Sequence, residues 1–340
     1  MKKLFLGPRK LMKVLIQTAR SYWGSDTATL GAALSYYTLF SLVPVLIIVM
    51  AIAGLVFGPD AVRGEVKTQI QSAIGSGTAE QVESMIVAAS DRKRGTIATI
   101  IATFLLILGT TGVFNQIRRA LNNLWEVKPK PSKGYIRYLR NRVLSFAMVV
   151  CIGFLLLVSL TLHALLAAFS DYLLRVFSDF SIYVLKAFDL ILAFGLTVVM
   201  IGMIYKFMSD AIIKWRDIWI GAVFTAVLFT LGKYLIGLYL GRSSYNDTYG
   251  AAGSIVLVLV WVYYSSQILF FGAEFTQTIA TIRGDKIVPE EYAVRNVKVE
   301  VEQGVDESGK HFKEKVTELK IEADNSNEKL TEKNEKLKPK

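Results

Sequence analysis

Residues 27–59, 96–117 and 143–170 of this chain contain no charged side chain. A hydrocarbon core of about 30 Å takes about 20 helical residues to cross. Backbone polar groups inside that core must be satisfied within the segment, so the crossing elements are helices. Residues 180–205, 218–240 and 248–276 are as apolar, but the first holds Lys186 and Asp189, the second Lys233 and the third Glu274. The pattern predicts an all-α polytopic membrane protein, a bundle of six transmembrane helices. The single cysteine, Cys151, lies in the third run, where it forms no intrachain disulfide and reads as a small packing residue.

The net charge of +11 is distributed in a way that fixes an orientation. Lys2, Lys3, Arg9, Lys10, Lys13 and Arg20 precede the first span against Asp26 alone, and the segment 118–142 is again strongly basic, with Glu126 its one acidic residue. The loop 60–95 is balanced. Excess Lys and Arg mark cytoplasmic segments, so both termini are expected in the cytoplasm, with odd spans running outward and even spans returning.

This divides the chain into a basic N-terminal interfacial segment (1–26), a six-helix transmembrane domain (27–282) and a charged, largely disordered cytoplasmic tail (283–340). Arg9, Lys10 and Lys13 interrupt any signal-peptide core. Leu4, Leu11, Leu15 and Thr18 can share a face while the lysines meet headgroups; a solvated basic leader is the alternative. In the loop, Val66, Ile70 and Ile74, then Val82, Met85, Ile86 and Ala89, recur at helical spacing around Gly75-Ser76-Gly77. Two short amphipathic extracytoplasmic helices are expected there, lying on the membrane or capping the bundle. The tail beyond Lys310 is Lys/Glu/Asn-rich and buries too little to order itself, while a strand is expected at Ala293–Val301.

Within the spans, Thr96, Thr99, Thr103 and Thr110, and separately Gly221, Thr225 and Gly232, form stripes of small side chains suited to close helix packing. Tyr37, Ser41 and Pro44 place two polar groups and a helix-interrupting proline on one face of the first span, and Tyr263, Gln267 and Glu274 align similarly on the sixth. Such faces look into protein or water. Lys186 and Asp189 can neutralise each other. Lys233 either pairs with Asp189 across helices or snorkels to the outer boundary. Glu274 is either solvated at the inner boundary or paired with the basic 118–142 segment, and His163 reads as a packed neutral imidazole. These faces make Tyr37, Ser41, Pro44, Asp189, Lys233, Tyr263, Gln267 and Glu274 the candidate translocation or gating residues.

No cluster of carboxylates or histidines suits hydrolytic metal chemistry, and no Gly-rich phosphate loop, metal-spaced Cys/His set or nucleophile motif occurs. The sequence calls for no catalytic residue, no metal and no cofactor.

The wording of three segments carries a family resemblance. Ala32–Pro44 in the first span, Ala120–Trp125 with Asn122 and Trp125, and the run from Gly250, Gly253 and Ser254 through Trp261 to Gly272 and Phe275 closely resemble the YihY/BrkB family of bacterial inner-membrane proteins, over about residues 15–282. Lys233 fits the family pattern, whereas Ser209 stands before Asp210 where proline is expected. The resemblance implies localisation in the bacterial cytoplasmic membrane and transport or export, with envelope lipids among the expected substrates. The family has also carried a ribonuclease BN label, for which the residues offer no chemistry. Two readings stay open: translocation of a lipid or amphiphile along the polar faces, and a non-transporting scaffold for envelope assembly. Membrane lipids are the expected partners, an anionic lipid or amphiphile the expected substrate class, and no nucleic acid is expected. A homo-oligomer is compatible with the sequence.

Overall fold

The computed structural model describes residues 8–74, 112–130, 180–241, 251–285 and 287–296, with scattered helical positions between 79 and 86 and between 143 and 161. Its helices are α1 (Pro8–Trp23), α2 (Thr27–Phe57), α3 (Pro59–Ile74), α4 (112–124), α5 (Phe180–Phe207), α6 (Trp215–Gly241) and α7 (Ala251–Ile282). Among the described residues, short strands join them: β1 (Val127–Pro129), β2 (Ala211–Ile212), β3 (Val288–Pro289) and β4 (Ala293–Arg295). Among the described residues, three helices are long and apolar enough to cross a membrane, within Leu190–Phe207, Trp215–Leu235 and Ile255–Ile282. The threonine stripe of 96–110, His163 and the tail beyond residue 296 lie outside the described residues.

Local chemistry sets the boundaries. Pro8 and Pro59 each occupy the first position of a helix, where their missing N–H costs nothing. Gly58 ends α2 in the left-handed region (φ +83°), which a residue with a Cβ rarely adopts. At the end of α7, Gly284 (φ +80°) donates its N–H to Thr281 O at 3.0 Å, and Asp285 N–H reaches Ala280 O at 2.9 Å. This is the double bond of a Schellman stop.

α7 is the central staff: α2 and α6 pack along it, and α5 packs on α6 and reaches α7 through Tyr205. The expected small-residue stripe on α6 lets side chains of α7 lie directly against its backbone. A Cβ on Gly221 would sit 1.9 Å from Thr276 Oγ1, and one on Gly232 2.7 Å from Tyr264 Oη. The core gathers Leu34, Phe114, Leu121, Tyr205, Met208, Ile218, Ala222 and Phe270. On the outer face of α6, Trp215, Trp219, Val223, Val227, Leu231 and Leu235 are exposed at one-turn spacing, as a lipid-facing stripe requires. Cys151 is half-buried, its Sγ 3.4 Å from Met203 Sδ.

α3 folds back on α2, with Val62 and Val66 against Leu46 and Met50. Arg63 and Lys67 reach Glu83 at 3.2 and 2.8 Å. Of the two helices expected between 60 and 92, the first is present as α3, an arm folded back on α2, while the second is described only at scattered helical positions between 79 and 86.

The segment after α7 is an ordered strap. β4 pairs antiparallel with β1, and β3 with β2. Lys130 N–H donates to Tyr292 O at 2.8 Å, Asn296 N–H to Glu126 O at 2.7 Å, and Glu290 N–H to Asp210 O at 3.0 Å. The expected strand is seen as Ala293–Arg295, and the first part of the segment expected to be a loose tail is stitched to two earlier turns.

Candidate functional site: a polar niche at the helix break

α1 and α2 are separated by a three-residue break, Gly24 to Asp26. α1 buries Val14 against Phe275 and Ile279, and Tyr22 meets the Phe271 ring edge-on at 5.5 Å. The break therefore lies beside α7 between Gln267 and Glu274. Ser21 Oγ donates to Glu274 Oε2 at 2.9 Å, and Ser25 Oγ lies 3.0 Å from Glu274 Oε1 and 2.9 Å from Ser21 O. The single Ser25 proton is thus shared between a carboxylate and a backbone carbonyl. Tyr22 donates its hydroxyl to Gln267 Oε1, and Gln267 Nε2 donates to Thr27 O at 3.3 Å. Gly31 permits this approach, since a Cβ there would meet Gln267 Nε2 at 2.1 Å.

Glu274 is 2% exposed and lies within the apolar stretch Ile255–Ile282. At about 1.5 Å of rise per residue it stands about 14 Å along α7 from Arg283, and Gln267 about 24 Å. A carboxylate so placed costs free energy unless hydrogen-bonded, and the two serine hydroxyls supply bonds of the stronger, charge-assisted kind. This corrects the expectation of a solvated Glu274, since α1 folds over it and excludes solvent; the alternative of pairing with the 118–142 segment falls partly on residues 131–142, which lie outside the described residues. Asp26, at the end of the break, is exposed.

The expected faces only partly converge here. Gln267 and Glu274 enter the niche, and Tyr263 lies one turn beyond Gln267 with its side chain exposed. Tyr37 packs its ring on α4, 2.9 Å from where a Gly112 Cβ would lie. Ser41 is buried and donates to Thr38 O of its own helix at 3.2 Å, so neither side chain is bonded into the niche. The Pro44 and Asp189 side chains lie outside the described residues, although α2 and α5 run through both positions. Lys233 is exposed on α6 between exposed Leu231 and Tyr234. Gly202 packs at the level of Ile218 and Ala222; carried along the two antiparallel helices, that register puts positions 189 and 233 at one level. Ser21, Tyr22 and Ser25 were invisible as site residues in the sequence, their only signal being two hydroxyls one turn apart just before a span.

A second polar cluster closes the end of the bundle that carries the strap. Asn122 Nδ2 donates to Asp210 Oδ2 at 2.8 Å while Asp210 N–H donates to Asn122 Oδ1 at 2.8 Å, and Asp210 is fully buried. Arg118 Nε donates to Met208 O at 3.2 Å and Trp125 Nε1 to Ala273 O at 3.1 Å. Tyr205 donates to Leu269 O at 2.7 Å, with Thr225 Oγ1 3.0 Å away. Gly272 leaves room for both, for its Cβ would fall 1.8 Å from Thr225 Oγ1 and 2.6 Å from Tyr205 Oη. Ser209, set where proline was expected, is buried and 3.4 Å from Tyr205 O. Asn122, Trp125 and Gly272 are thus architectural, as is Trp261, whose ring meets Phe229 edge-on at 6.3 Å. Gly250 and the side chain of Ser254 lie outside the described residues; Gly253 falls in the first turn of α7.

Around this cluster runs a charged rim. Asp217, 1% exposed at its side chain, accepts from Arg283 at 3.1 Å. Asp285 accepts from Lys214 and, at 3.3 Å, from Arg216. The hydrogen bond from the Lys214 ammonium, joined by the charges of Lys214 and Arg216, holds the Asp285 carboxyl below the usual carboxylate range. Among the described residues no three His, Cys, Asp or Glu side chains are grouped to hold a metal ion.

The chain is similar to UPF0761 membrane proteins of several bacteria. It is 27% identical to the one from Verminephrobacter eiseniae over 280 residues, 79% of this chain and 63% of that protein. It is 24% identical to that of Acinetobacter baylyi over 289 residues, 84% and 67% of the two chains, and 28% identical to that of Pseudomonas aeruginosa over 256 residues, 74% and 59%. The matched stretch therefore spans about three-fifths of the length of these relatives. No solved structure matches. The family described as virulence factor BrkB matches residues 18–295, a stretch that takes in the niche at Ser21 and the last residue of β4. The chain belongs to the BrkB family of membrane proteins.

Proposed function

We propose that this protein moves an amphiphile with a polar headgroup across the bacterial cytoplasmic membrane, with the niche at the α1–α2 break as the headgroup's waypoint. One observation carries this reading: a buried carboxylate inside an apolar span, Glu274, is held by one hydroxyl from the last turn of α1 and one from the break that follows it. Hydroxyl rotors exchange partners at little cost, so a headgroup bearing an ammonium or hydroxyl can replace Ser21 and Ser25 on the carboxylate. Exposed Asp26 and Tyr263 extend the polar path beyond it, and Lys233 is the cation to which an anionic group is drawn. Pro44 and Asp189 are assigned to the same route on sequence grounds.

The proposal includes six spans and cytoplasmic termini. Reporter fusions after Ser76 and after Lys310 test it; a cytoplasmic signal from the first or an outside signal from the second overturns it.

Transport is tested with the full chain in liposomes containing fluorescent phosphatidylethanolamine or phosphatidylglycerol, by quenching the outer leaflet with a membrane-impermeant reductant. Wild-type protein is expected to deplete the inner-leaflet pool of at least one lipid, and Glu274→Gln and Lys233→Met to slow that depletion at unchanged insertion. No protein-dependent movement of either lipid sinks the proposal in favour of the scaffold reading.

A further inference from the structure

We propose that α1 is an anionic-lipid contact, and that its seating on the anionic leaflet holds Ser21 and Ser25 on Glu274. This concerns the lipid that surrounds the protein and stands whether or not the niche passes an amphiphile.

At about 100° per residue, Met12, Ile16 and Trp23 fall within about 40° of one another on α1. All three are exposed, Trp23 at 83%. Lys13 and Arg20 lie along one edge of that stripe and are exposed too. On the other side of the helix Val14 and Thr18 are fully buried, with Val14 and Leu15 packed among Ile220, Phe224, Phe275 and Ile279 of α6 and α7. α1 therefore has three faces: one bound to two apolar spans, one apolar and uncovered, and one cationic.

That combination identifies the occupant. α1 is fixed to helices long and apolar enough to cross a bilayer, so its uncovered stripe meets the same bilayer. An apolar stripe edged by cations matches the boundary where acyl chains give way to phosphates, and the cations select the anionic fraction of the lipid. Ser21 stands between the cationic and buried faces, one residue after Arg20. Any shift of α1 away from the leaflet moves the Ser21 hydroxyl, 2.9 Å from Glu274, and draws on Ser25 in the break, which is bonded to Ser21 O and lies 3.0 Å from Glu274. The lipid surface and the buried carboxylate are joined by a single rigid helix of 16 residues.

Hydrogen exchange on the full chain in nanodiscs tests this, comparing phosphatidylcholine alone with phosphatidylcholine plus phosphatidylglycerol. Phosphatidylglycerol is expected to slow amide exchange severalfold across the break at residues 24–28 while leaving α6 unchanged, and added salt to remove the effect. The double variant Lys13→Gln/Arg20→Gln should exchange alike in both discs, with thermal stability in phosphatidylcholine equal to wild type. Equal exchange of the wild type in both lipids overturns the proposal, as does a double variant that keeps the phosphatidylglycerol response. The wild-type comparison alone decides the matter if the variant fails to fold.

Discussion

The niche at Glu274 and the cluster at Asp210 use the same materials, a buried carboxylate and neutral hydrogen-bonding groups, and reach opposite mechanical ends. Asp210 meets an amide that answers it twice, once through its side chain and once through its own backbone N–H. Two planar groups and a peptide unit leave no rotor free, and the carbonyl of Asp210 is taken by Glu290. Glu274 is met by two hydroxyls that turn about single bonds, and the one on Ser25 is shared with the Ser21 carbonyl. The lesson is that burial alone does not mark a site for movement. The number of rotors among the partners and the continuity of the backbone behind them distinguish a rivet from a catch.

The largest expected effect breaks the rivet. Asp210→Ala keeps the backbone bonds of the turn but leaves the Asn122 Nδ2 donor unanswered in the interior, and an unsatisfied buried polar group costs about 1–3 kcal/mol, more where a charged partner is lost. Little folded protein should be recovered, read as the loss of a monodisperse peak in detergent; normal recovery would place the two clusters in one class. Next comes the helix seam shared by both regions. Gly272→Val forces a side chain into Thr225 and Tyr205, and overpacking costs about 1–3 kcal/mol, to be read as a lower unfolding midpoint. Gly64→Ala, where a Cβ meets nothing within 4 Å, is its control and should be stabilising by about 0.5–1 kcal/mol. The smallest effect separates rim from rivet by pH. Asp285 has a lowered folded value, so its contribution is complete above the ordinary carboxylate range and is lost as pH falls through the folded value. The midpoint should fall with acid more in wild type than in Asp285→Asn, and the difference should shrink in salt. Parallel pH profiles would remove Asp285 from the rim's function.

What was legible in the sequence follows from range. The apolar runs over 180–205, 218–240 and 248–276 mark α5, α6 and α7, and the 3.6-residue pattern marks α3, because both signals are local. The small residues Gly221 and Gly232 predicted close packing, and the contacts with Thr276 and Tyr264 bear that out. Asn122 was picked out by resemblance, but its partner lies 88 residues away and has no periodic signature. Ser21 and Ser25 stand in a basic leader where hydroxyls look like solvated surface; only the packing of α1 on α7 turns them toward Glu274. The strand after α7 was legible near Ala293, but its pairing with β1 and the β2–β3 pair were not, because short strands held by main-chain bonds need few apolar side chains.

The strap also imposes an order of assembly. Among the described residues β1 and β2 find their partners in residues 288–295, so these pairings after α4 and after α5 stay unmade until the last span has left the ribosome. Closing the strap is therefore the step that converts a set of inserted helices into one body, and a chain stalled anywhere before residue 288 would present two open strand edges to whatever quality-control machinery patrols the membrane.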